Sequence, residues 1–462
     1  MGKKKGRGIG AAFVTLWEDI KDIFTTFKEG DWKTRLSFLI MGFGELMRGQ
    51  FARGLALLGI QTAANLFIVK FGWQYLKDFT TLGTVETHKV NRVTQYGDNS
   101  FFILLYSLLT IVVIALLILA WRINVRDNRN CQRKLSAGEK LPTNRRDLHS
   151  LLDEHFDKTL LALPMLGIFV FTVLPIIFMV CIAFTNYDVD HQPPAKLFTW
   201  VGLQNFKELF GIGTGGNFGS TFFSVLGWTL IWAFFATFLT YFLGMAVAIL
   251  INKKGLKLKK LWRTILVMTI AVPQFVSLLY VGKMFAVDGI VNAYLMQWGW
   301  ISAPIPFWTN ATLARIMIIV INLWIGIPYT MLIVTGLLMN IPSELYESAR
   351  IDGANAFQMF RKITLPYMLF VTGPFLLTQF IGNLNNFNVI FLLNQGNPKS
   401  MGLSNGAGAT DLLITWLYKM TINDSNYKIA AVIGIMVFLV TAIISLVVYN
   451  AMPSIKDEEG FQ

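Results

Sequence analysis

The chain has 462 residues, of which 54% are hydrophobic and only 15% are charged. Soluble proteins carry about 25% charged residues, so this composition excludes a set of soluble domains and indicates an all-α polytopic membrane protein. The net charge of +13 would suit a nucleic-acid-binding protein, but in a membrane protein an excess of Lys and Arg reports topology. The basic start is not followed directly by an apolar stretch with a cleavage site, so we expect no cleaved signal peptide.

Eight segments have the roughly 20 mostly apolar residues that a helix needs to cross a bilayer. These segments are residues 54–73, 101–121, 160–184, 222–251, 264–285, 313–338, 367–392 and 428–450. The N-terminus, the C-terminus and every second connection together hold 29 Lys and Arg, whereas the other connections hold seven. Positive residues stay inside, so a multi-pass protein of the cytoplasmic membrane with both termini in the cytoplasm is predicted. The same asymmetry explains most of the net charge, so no nucleic-acid partner is expected.

The longest inside connection, residues 122–159, is rich in arginine. Its first turns contain Arg122, Arg126, Arg129 and Arg133. We interpret these side chains as topology determinants that contact membrane lipid headgroups, rather than as a regulatory site.

The sequence contains no phosphate-binding loop, nucleophile elbow or zinc motif, and its four histidines have no metal-ligand spacing. We therefore predict no catalytic residue, no metal and no cofactor. No Asp or Glu lies near the middle of a predicted span, which speaks against ion coupling. Uphill transport would then need a separate ATPase. An ion-coupled secondary carrier or channel for a small polar solute remains the alternative.

The inside loop between the sixth and seventh spans, residues 343–366, predicts two short helices. Ser343 is the expected N-cap of the first helix, Asp352 and Gly353 are expected to end it, and Asp352 is expected to cap the second helix. The second helix is expected to carry a hydrophobic ridge of Phe357, Phe360 and Ile363. Such a ridge must be buried in this protein or in a partner.

This loop resembles the EAA loop of ABC-importer permeases, E-A-A-x-x-D-G-A-x5-F-x-x-I-x-L-P, with Ser348 in place of the second Ala. The resemblance implies a type I ABC importer transmembrane fold and a loop that docks on a cytoplasmic ATPase. The residues expected to couple the ATPase to the spans are Glu347, Ala349, Asp352, Gly353, Ala354, Phe357, Phe360, Ile363, Leu365 and Pro366.

Two further segments narrow the class. Residues 200–206 resemble a segment of sugar-importer permeases, and residues 322–391 closely resemble the larger permease subunit of maltose/maltodextrin importers. The resemblance implies transport of maltose, maltodextrin or a related oligosaccharide. The implied partners are a second permease subunit, two cytoplasmic ABC ATPase subunits and an extracellular solute-binding protein.

Polar residues within two spans predict a solute path. Asn322, Gly326 and Tyr329 share one face of the sixth span. One face of the seventh is predicted to hold Gln379, Gly382, Asn383 and Asn386. Such amides either bind a solute or hold helices together, and both readings stay open from the pattern alone. In the maltose family, the sugar site is lined by residues that match Asn322, Ile325, Gly326, Tyr329, Gln379, Gly382, Asn383 and Asn386.

The predicted organisation has four parts. They are a basic cytoplasmic segment (1–53), two additional spans with a basic loop (54–159), a permease core (160–450) and a cytoplasmic tail (451–462).

Overall fold

The computed structural model describes residue 17 and residues 21–90, 93–142, 153–154, 156–212, 218–253 and 255–452. Much of the predicted basic N-terminal segment and residues 453–462 of the predicted tail therefore lie outside the described residues. Seven helices in the described part are long and apolar enough to cross a membrane, and one bent helix pair makes eight if it counts as one span. The seven are Phe51–Leu76, Ser100–Ser136, Thr159–Ile182, Phe218–Asn252, Ala311–Leu338, Ala356–Asn394 and Tyr427–Ala451. The predicted all-α polytopic membrane fold is confirmed.

The chain divides into two compact units, and the first consists of the described residues of Met1–Cys181 and Asp190–Trp200. Residues 21–29 are helical, and a two-stranded antiparallel hairpin pairs Lys89 with Thr94. The elements between residues 32 and 182 are α1 (Trp32–Ser37), α2 (Phe43–Leu46), α3 (Phe51–Phe67), α4 (Trp73–Leu76), β1 (His88–Val90), β2 (Val93–Gln95), α5 (Ser100–Ser136), α6 (Phe156–Ile168) and α7 (Leu174–Ile182). Two π-helical turns, Ile68–Gly72 and Phe169–Val173, join α3 to α4 and α6 to α7.

A buried polar network ties α1 and α2 to α5 in this unit. The Arg48 side chain is 1% exposed and pairs with Asp31 at 2.7 Å. Asn128 on α5 donates to the fully buried Glu45 carboxyl at 2.8 Å. Burial raises the pKa of the Glu45 carboxyl above its usual value. Although Glu45 Oε2 and Arg48 Nε have no partner among the described residues, the pairs that do form hold the short N-terminal helices against the second span.

The second unit consists of the described residues of Ile182–Val189 and Val201–Gln462. Two further π-helical turns, Phe235–Leu239 and Phe360–Thr364, interrupt its long helices. Its helices are α8 (Gln204–Leu209), α9 (Phe218–Phe234), α10 (Thr240–Asn252), α11 (Lys259–Ala271), α12 (Gln274–Met284), α13 (Ile290–Gln297), α14 (Ala311–Leu338), α15 (Ser343–Ile351), α16 (Ala356–Met359), α17 (Leu365–Leu384), α18 (Phe387–Asn394), α19 (Leu413–Ile422) and α20 (Tyr427–Ala451).

Helices α10 and α14 approach each other through small residues. A Cβ atom added at Gly244 would lie 2.7 Å from Thr330 Cβ, and one added at Gly326 would lie 2.7 Å from Thr240 Cγ2. Small residues let membrane helices pack closely, since lipid offers no hydrophobic drive for their association. The tight contact places the polar face of α14 beside the start of α10.

The predicted single helix over residues 264–285 is wrong. The chain bends by 92° between α11 and α12. Pro273 lacks a backbone N–H and pushes the preceding residue out of the helical region, and Val272 is accordingly extended, with ψ 129°. The fifth apolar segment is therefore two short helices.

One buried ion pair lies in the segment that follows α18. Asp411 is fully buried and accepts a hydrogen bond from Lys419 Nζ at 2.7 Å. It also accepts bonds from the Gly408 N–H and the Thr415 hydroxyl. The carboxylate thereby joins this segment to α19.

Candidate transport path and coupling loop

The two polar faces lie on neighbouring helices of the second unit. Helices α14 and α17 contact each other, and both contact the π-helical turn Phe235–Leu239. The contact from α17 includes the Phe238 and Phe380 rings, whose centroids are 6.3 Å apart. The turn therefore positions the predicted solute residues of both helices.

On α14, the predicted residues divide between open and packed positions. Asn322 is 9% exposed and Tyr329 is 50% exposed, and within the described part of the chain neither side chain has a hydrogen bond partner. Gly326 lies against Thr240, and Ile325 packs on the apolar cluster around Trp232. Tyr329 is thus exposed and Asn322 is buried without a hydrogen bond to a described residue, whereas Gly326 and Ile325 serve helix packing.

The predicted common face of Gln379, Gly382, Asn383 and Asn386 is wrong for its last member. Helix α17 ends at Leu384, and Asn385 leaves the helical conformation with φ −105° and ψ 23°. Asn386 instead caps α18, because its side chain accepts a hydrogen bond from the Val389 N–H at 3.2 Å. A spacing of seven residues marks one face only while the helix continues.

Asn383 is held by three hydrogen bonds. Its side-chain amide donates to Thr237 Oγ1 at 3.0 Å, and its backbone carbonyl oxygen accepts from Trp232 Nε1 at 3.0 Å. Its side-chain oxygen accepts from the Asn386 amide at 3.3 Å. For these two residues the geometry favours the packing alternative.

Gln379 and Gly382 are in a different situation one turn earlier. The Gln379 side chain is half-buried and has no hydrogen bond to any described residue. A Cβ atom added at Gly382 would meet open space. These two positions and the exposed Tyr329 are the open part of the two faces, and Asn322 lies buried beside them in the pattern.

The predicted coupling loop, residues 343–366, begins with α15, and that helix ends in a Schellman turn. Gly353 has φ +79°, its N–H donates to the Arg350 carbonyl at 3.0 Å, and the Ala354 N–H donates to the Ala349 carbonyl at 2.9 Å. A left-handed residue at this place favours glycine. The prediction that Asp352 and Gly353 end the first helix is confirmed.

The predicted caps of the two loop helices are wrong. The N-cap of α15 is Pro342, and Ser343 is already the first helical residue. Helix α16 is capped by Asn355 rather than Asp352, through a reciprocal pair in which Asn355 and Gln358 each accept from the other's backbone N–H at 2.9 and 2.8 Å. The Asn-x-x-Gln spacing is a capping-box signature, so the sequence did carry this signal.

The loop presents an open groove of about 350 Å³ between its two helices. Its lining residues are Ala349, Asp352, Gly353, Ala354, Gln358, Met359, Lys362 and Ile363. On the same loop Ile351 is 86% and Phe357 is 69% exposed, and Glu347 is also exposed. Large apolar side chains on such a surface indicate an interaction site.

The predicted ridge of Phe357, Phe360 and Ile363 is only partly realised. Phe360 packs on the apolar cluster that includes Tyr241 and Met368, as does Leu365. The π-helical turn Phe360–Thr364 changes the angular spacing of these residues, so one side of the ridge turns inward. Ile363 is half-buried, and Pro366 lies exposed in the first turn of α17.

A hydrogen bond closes the base of the loop. Tyr346 on α15 and Thr364, the last residue of the π-helical turn before α17, are joined through their hydroxyls at 2.8 Å. Farther along, the Tyr241 and Thr372 hydroxyls join α10 to α17 at 2.7 Å. These two hydrogen bonds connect the loop to α17 and α17 to α10. No sequence motif predicted either bond.

A helical membrane bundle with two partly polar faces and an exposed helix pair on one loop has the features of a transport permease. A model of the family described as binding-protein-dependent transport system inner membrane component matches residues 240–456. The maltodextrin transport system permease protein MdxF of Bacillus subtilis is 35% identical over 440 residues, which cover 92% of this chain and 97% of that protein. The galactooligosaccharides transport system permease protein GanP of the same organism is 36% identical over 422 residues, which cover 91% and 97%.

The chain therefore belongs to the family of binding-protein-dependent transport system inner membrane components. It is a multi-pass membrane permease subunit and not an enzyme, and its predicted resemblance to ABC-importer permeases is confirmed. A bacterial ABC transporter involved in the import of the acidic polysaccharide alginate has the same fold, with a TM-score of 0.54 at 23% identity over 66% of this chain and 98% of that chain. The family description sets aside the alternative of a self-contained ion-coupled carrier.

Proposed function

We propose that this chain is one of two permease subunits of an ABC importer that carries an oligosaccharide of the maltodextrin type across the cytoplasmic membrane. A second permease, two cytoplasmic ATPases and an extracellular solute-binding protein complete the transporter. Both termini face the cytoplasm in this proposal, as the 29 to 7 distribution of Lys and Arg favours. The observation that carries the proposal is the exposed groove of the coupling loop. Backbone hydrogen bonds of the loop itself maintain its shape, so the groove stays open to a partner.

The contacts of the loop suggest how ATP would drive the spans. Closure of the ATPases moves α15 and α16, and the Tyr346–Thr364 bond and the packed Phe360 transmit this movement to α17 and α10. Alternating access follows when α14 and α17 change their relative position. The structure requires no covalent chemistry from this chain.

Four positions on the two faces match the chemistry of a sugar. Asn322 and Gln379 offer donors and acceptors to hydroxyl groups, Tyr329 offers a ring face, and Gly382 leaves room. The uncharged character of this set favours a neutral oligosaccharide. Two relatives named for maltodextrin and galactooligosaccharides support the same substrate class.

The domain assignment is part of this proposal. The permease core covers residues 160–450 with the coupling loop at 343–366, and residues 54–159 add two spans and a basic loop.

The coupling role is tested by substituting Gly353 in the assembled transporter. Gly353→Val forces a β-branched residue into a left-handed conformation, whereas Gly353→Asn can adopt it. Misdocking that costs ~1.4 kcal/mol weakens ATPase binding about tenfold, so we expect at least that loss of uptake for Val and a milder loss for Asn. Uptake of radiolabelled maltodextrin by proteoliposomes measures the effect.

A matched control has the same backbone strain in another loop. Gly255 also has positive φ, +92°, with open space around an added Cβ, so Gly255→Val reports strain without touching the coupling loop. Equal losses in the Gly353→Val and Gly255→Val transporters would contradict the coupling assignment. Membrane expression and co-purification of the ATPase are compared in all variants.

The substrate proposal is tested with Gln379→Leu and Tyr329→Leu in the same vesicles. Each variant should raise the KM for maltodextrin while the ATPase still co-purifies. Unchanged kinetics in both variants would remove these residues from the site, and uptake of galactooligosaccharide alone would replace the sugar named in the proposal.

A further inference from the structure

The segment between α12 and α14 has a composition that the transport mechanism does not explain. Residues 289–314 contain no Asp, Glu, Lys or Arg. A segment of this length in water would carry about six charged residues, at the fraction that is typical of soluble proteins. The composition therefore indicates that something other than water covers part of this segment.

Hydrogen bonds hold the segment in one shape. The buried Asn292 amide on α13 donates to the Ile305 carbonyl at 3.0 Å, and its oxygen accepts from the Ile305 N–H at 2.9 Å. Trp308 Nε1 donates to the Gly282 carbonyl of α12 at 2.9 Å. Helix α13 is therefore tied to the residues that lead into α14, and these residues are tied to the end of α12.

The exposed side of α13 and of the residues that follow it is aromatic. Tyr294, Trp298 and Trp300 are 49%, 60% and 72% exposed. The Tyr294 and Trp298 rings are stacked with centroids 5.6 Å apart, and the Trp298 and Trp300 centroids are 5.4 Å apart. Ile290 lies one turn before Tyr294 on the same helix face and is 51% exposed. We call these four side chains the aromatic face.

Each ring of the aromatic face also carries a polar group. Within the described part of the chain, Trp298 Nε1, Trp300 Nε1 and the Tyr294 hydroxyl have no hydrogen bond partner. A ring with an apolar body and a free donor suits the zone between hydrocarbon and lipid headgroups, where Trp and Tyr are enriched.

The aromatic face lies near the end of a span. Helix α14 begins at Ala311 and has 28 residues, about 42 Å at 1.5 Å per residue, whereas the hydrocarbon core is about 30 Å thick. Its first residues therefore lie close to the boundary between hydrocarbon and headgroups. Because Asn292 ties α13 to Ile305, the aromatic face is held near the same boundary.

A row of exposed apolar side chains leads from α12 to the aromatic face. Tyr280, Met284 and Val287 are exposed and recur every three or four residues up to Ile290. Helix α12 is one half of the bent pair that has the length and composition of a span. The aromatic face thus continues the apolar surface of a membrane helix.

We propose that the aromatic face anchors α13 in the lipid interface at the end of the bilayer where α14 begins. Ile290 and the ring faces contact the upper part of the acyl chains, and the indole N–H groups donate to lipid ester or phosphate oxygens. The missing charges, the free donors and the place beside a span end together favour lipid over a water-soluble partner. Such an anchor sets the depth and tilt of α14.

The test uses the assembled transporter in liposomes of phosphatidylethanolamine and phosphatidylglycerol. The photoreactive residue p-benzoylphenylalanine replaces Trp300, and mass spectrometry identifies what it crosslinks. We expect phospholipid adducts. The control is the same replacement at Tyr96, which is 79% exposed but has Lys89 and Asp98 nearby in the sequence. We expect few or no lipid adducts there.

A second measurement needs no photoreactive residue. The tryptophan emission that is lost in the Trp298→Phe/Trp300→Phe variant is the contribution of these two rings, and phenylalanine keeps an apolar ring at each exposed position. We expect this emission to be quenched more strongly by lipid brominated close to the headgroup than by lipid brominated near the end of the acyl chain. Iodide in the water should quench it weakly.

Three results would overturn the proposal. Crosslinks from position 300 to the second permease or to the solute-binding protein would identify a protein contact instead. Equal lipid adducts at positions 96 and 300 would show that any exposed aromatic position meets lipid. Strong quenching by iodide would place the two tryptophans in water. None of these outcomes depends on docking of the ATPase or on the sugar, so the transport proposal would stand.

Discussion

The coupling loop and the end of α17 both terminate a helix, but they use their polar side chains in opposite ways. The loop is held by backbone hydrogen bonds at Gly353 and by the Asn355–Gln358 pair, which leaves Asp352 exposed. At the end of α17, Asn383 and Asn386 themselves hold the structure. A polar residue is free for a partner or a solute only where other groups maintain the local fold.

The largest expected effect comes from comparing a buried aspartate with an exposed one. Asp411→Ala leaves the 13%-exposed Lys419 ammonium without its partner, and breaking a buried pair costs about 3–5 kcal/mol. Asp352→Ala removes an exposed carboxylate and should change stability by less than about 0.5 kcal/mol. Thermal unfolding of the detergent-solubilised protein measures both, and similar melting temperatures for the two variants would break the comparison.

Glycines of the two polar faces provide the next test. Gly326→Ala places a methyl group 2.7 Å from Thr240, and overpacking of this kind costs about 1–3 kcal/mol. Gly382→Ala enters open space and should leave stability unchanged. Thermal unfolding measures the difference in stability between the two variants. A Gly326→Ala protein as stable as the wild type would mean that α10 and α14 do not pack as described.

The two amides of α17 sharpen the same comparison. Asn383→Leu leaves the Thr237 hydroxyl without its donor, and losing such a bond costs about 1–3 kcal/mol. Gln379→Leu breaks no bond to a described residue, so it should lower sugar uptake without lowering the melting temperature. Reversed effects, with a destabilised Gln379→Leu protein and a fully stable Asn383→Leu protein, would exchange their roles.

The smallest effect is expected at the base of the loop. Tyr346→Phe removes the hydroxyl bond to Thr364, worth about 0.5–1.5 kcal/mol. We expect uptake to fall while ATP hydrolysis continues, because the groove proposed to receive the ATPase is unchanged. The ratio of sugar transported to ATP hydrolysed measures this, and Tyr280→Phe, at a 70% exposed tyrosine of α12, is the control. An unchanged ratio would remove Tyr346 from the transmission path.

The membrane class, the spans and the coupling loop could be predicted from sequence because each depends on local patterns. Apolar runs of 20 residues and the turn at Asp352–Gly353 need no knowledge of distant contacts. The predictions for Asn386 and Phe360 were wrong because the helix geometry changed locally. Asn386 left its predicted face because the helix stopped at Leu384, and Phe360 turned inward because a π-helical turn changed the spacing.

The division of the polar residues could not be predicted. Asn383 and Gln379 carry the same amide group and lie one turn apart on α17. Only the hydrogen bonds of Asn383 with Thr237 and Trp232 distinguish the two residues. These neighbours lie some 150 residues away in the chain, as the bond between Trp232 and Asn383 shows. Position on a helix face gave the candidates, and tertiary contacts divided them.

The right-angled turn at Pro273 limits what can surround the fifth apolar segment. At 1.5 Å per residue, its halves of 13 and 11 residues reach only about 20 and 17 Å, so neither traverses a hydrocarbon layer of about 30 Å unaided. A crossing made from both halves puts the interrupted peptide units at a depth where lipid cannot hydrate them. Such units persist only beside protein or a wet cavity, and the elbow between α11 and α12 consequently marks a place that bare acyl chains cannot cover.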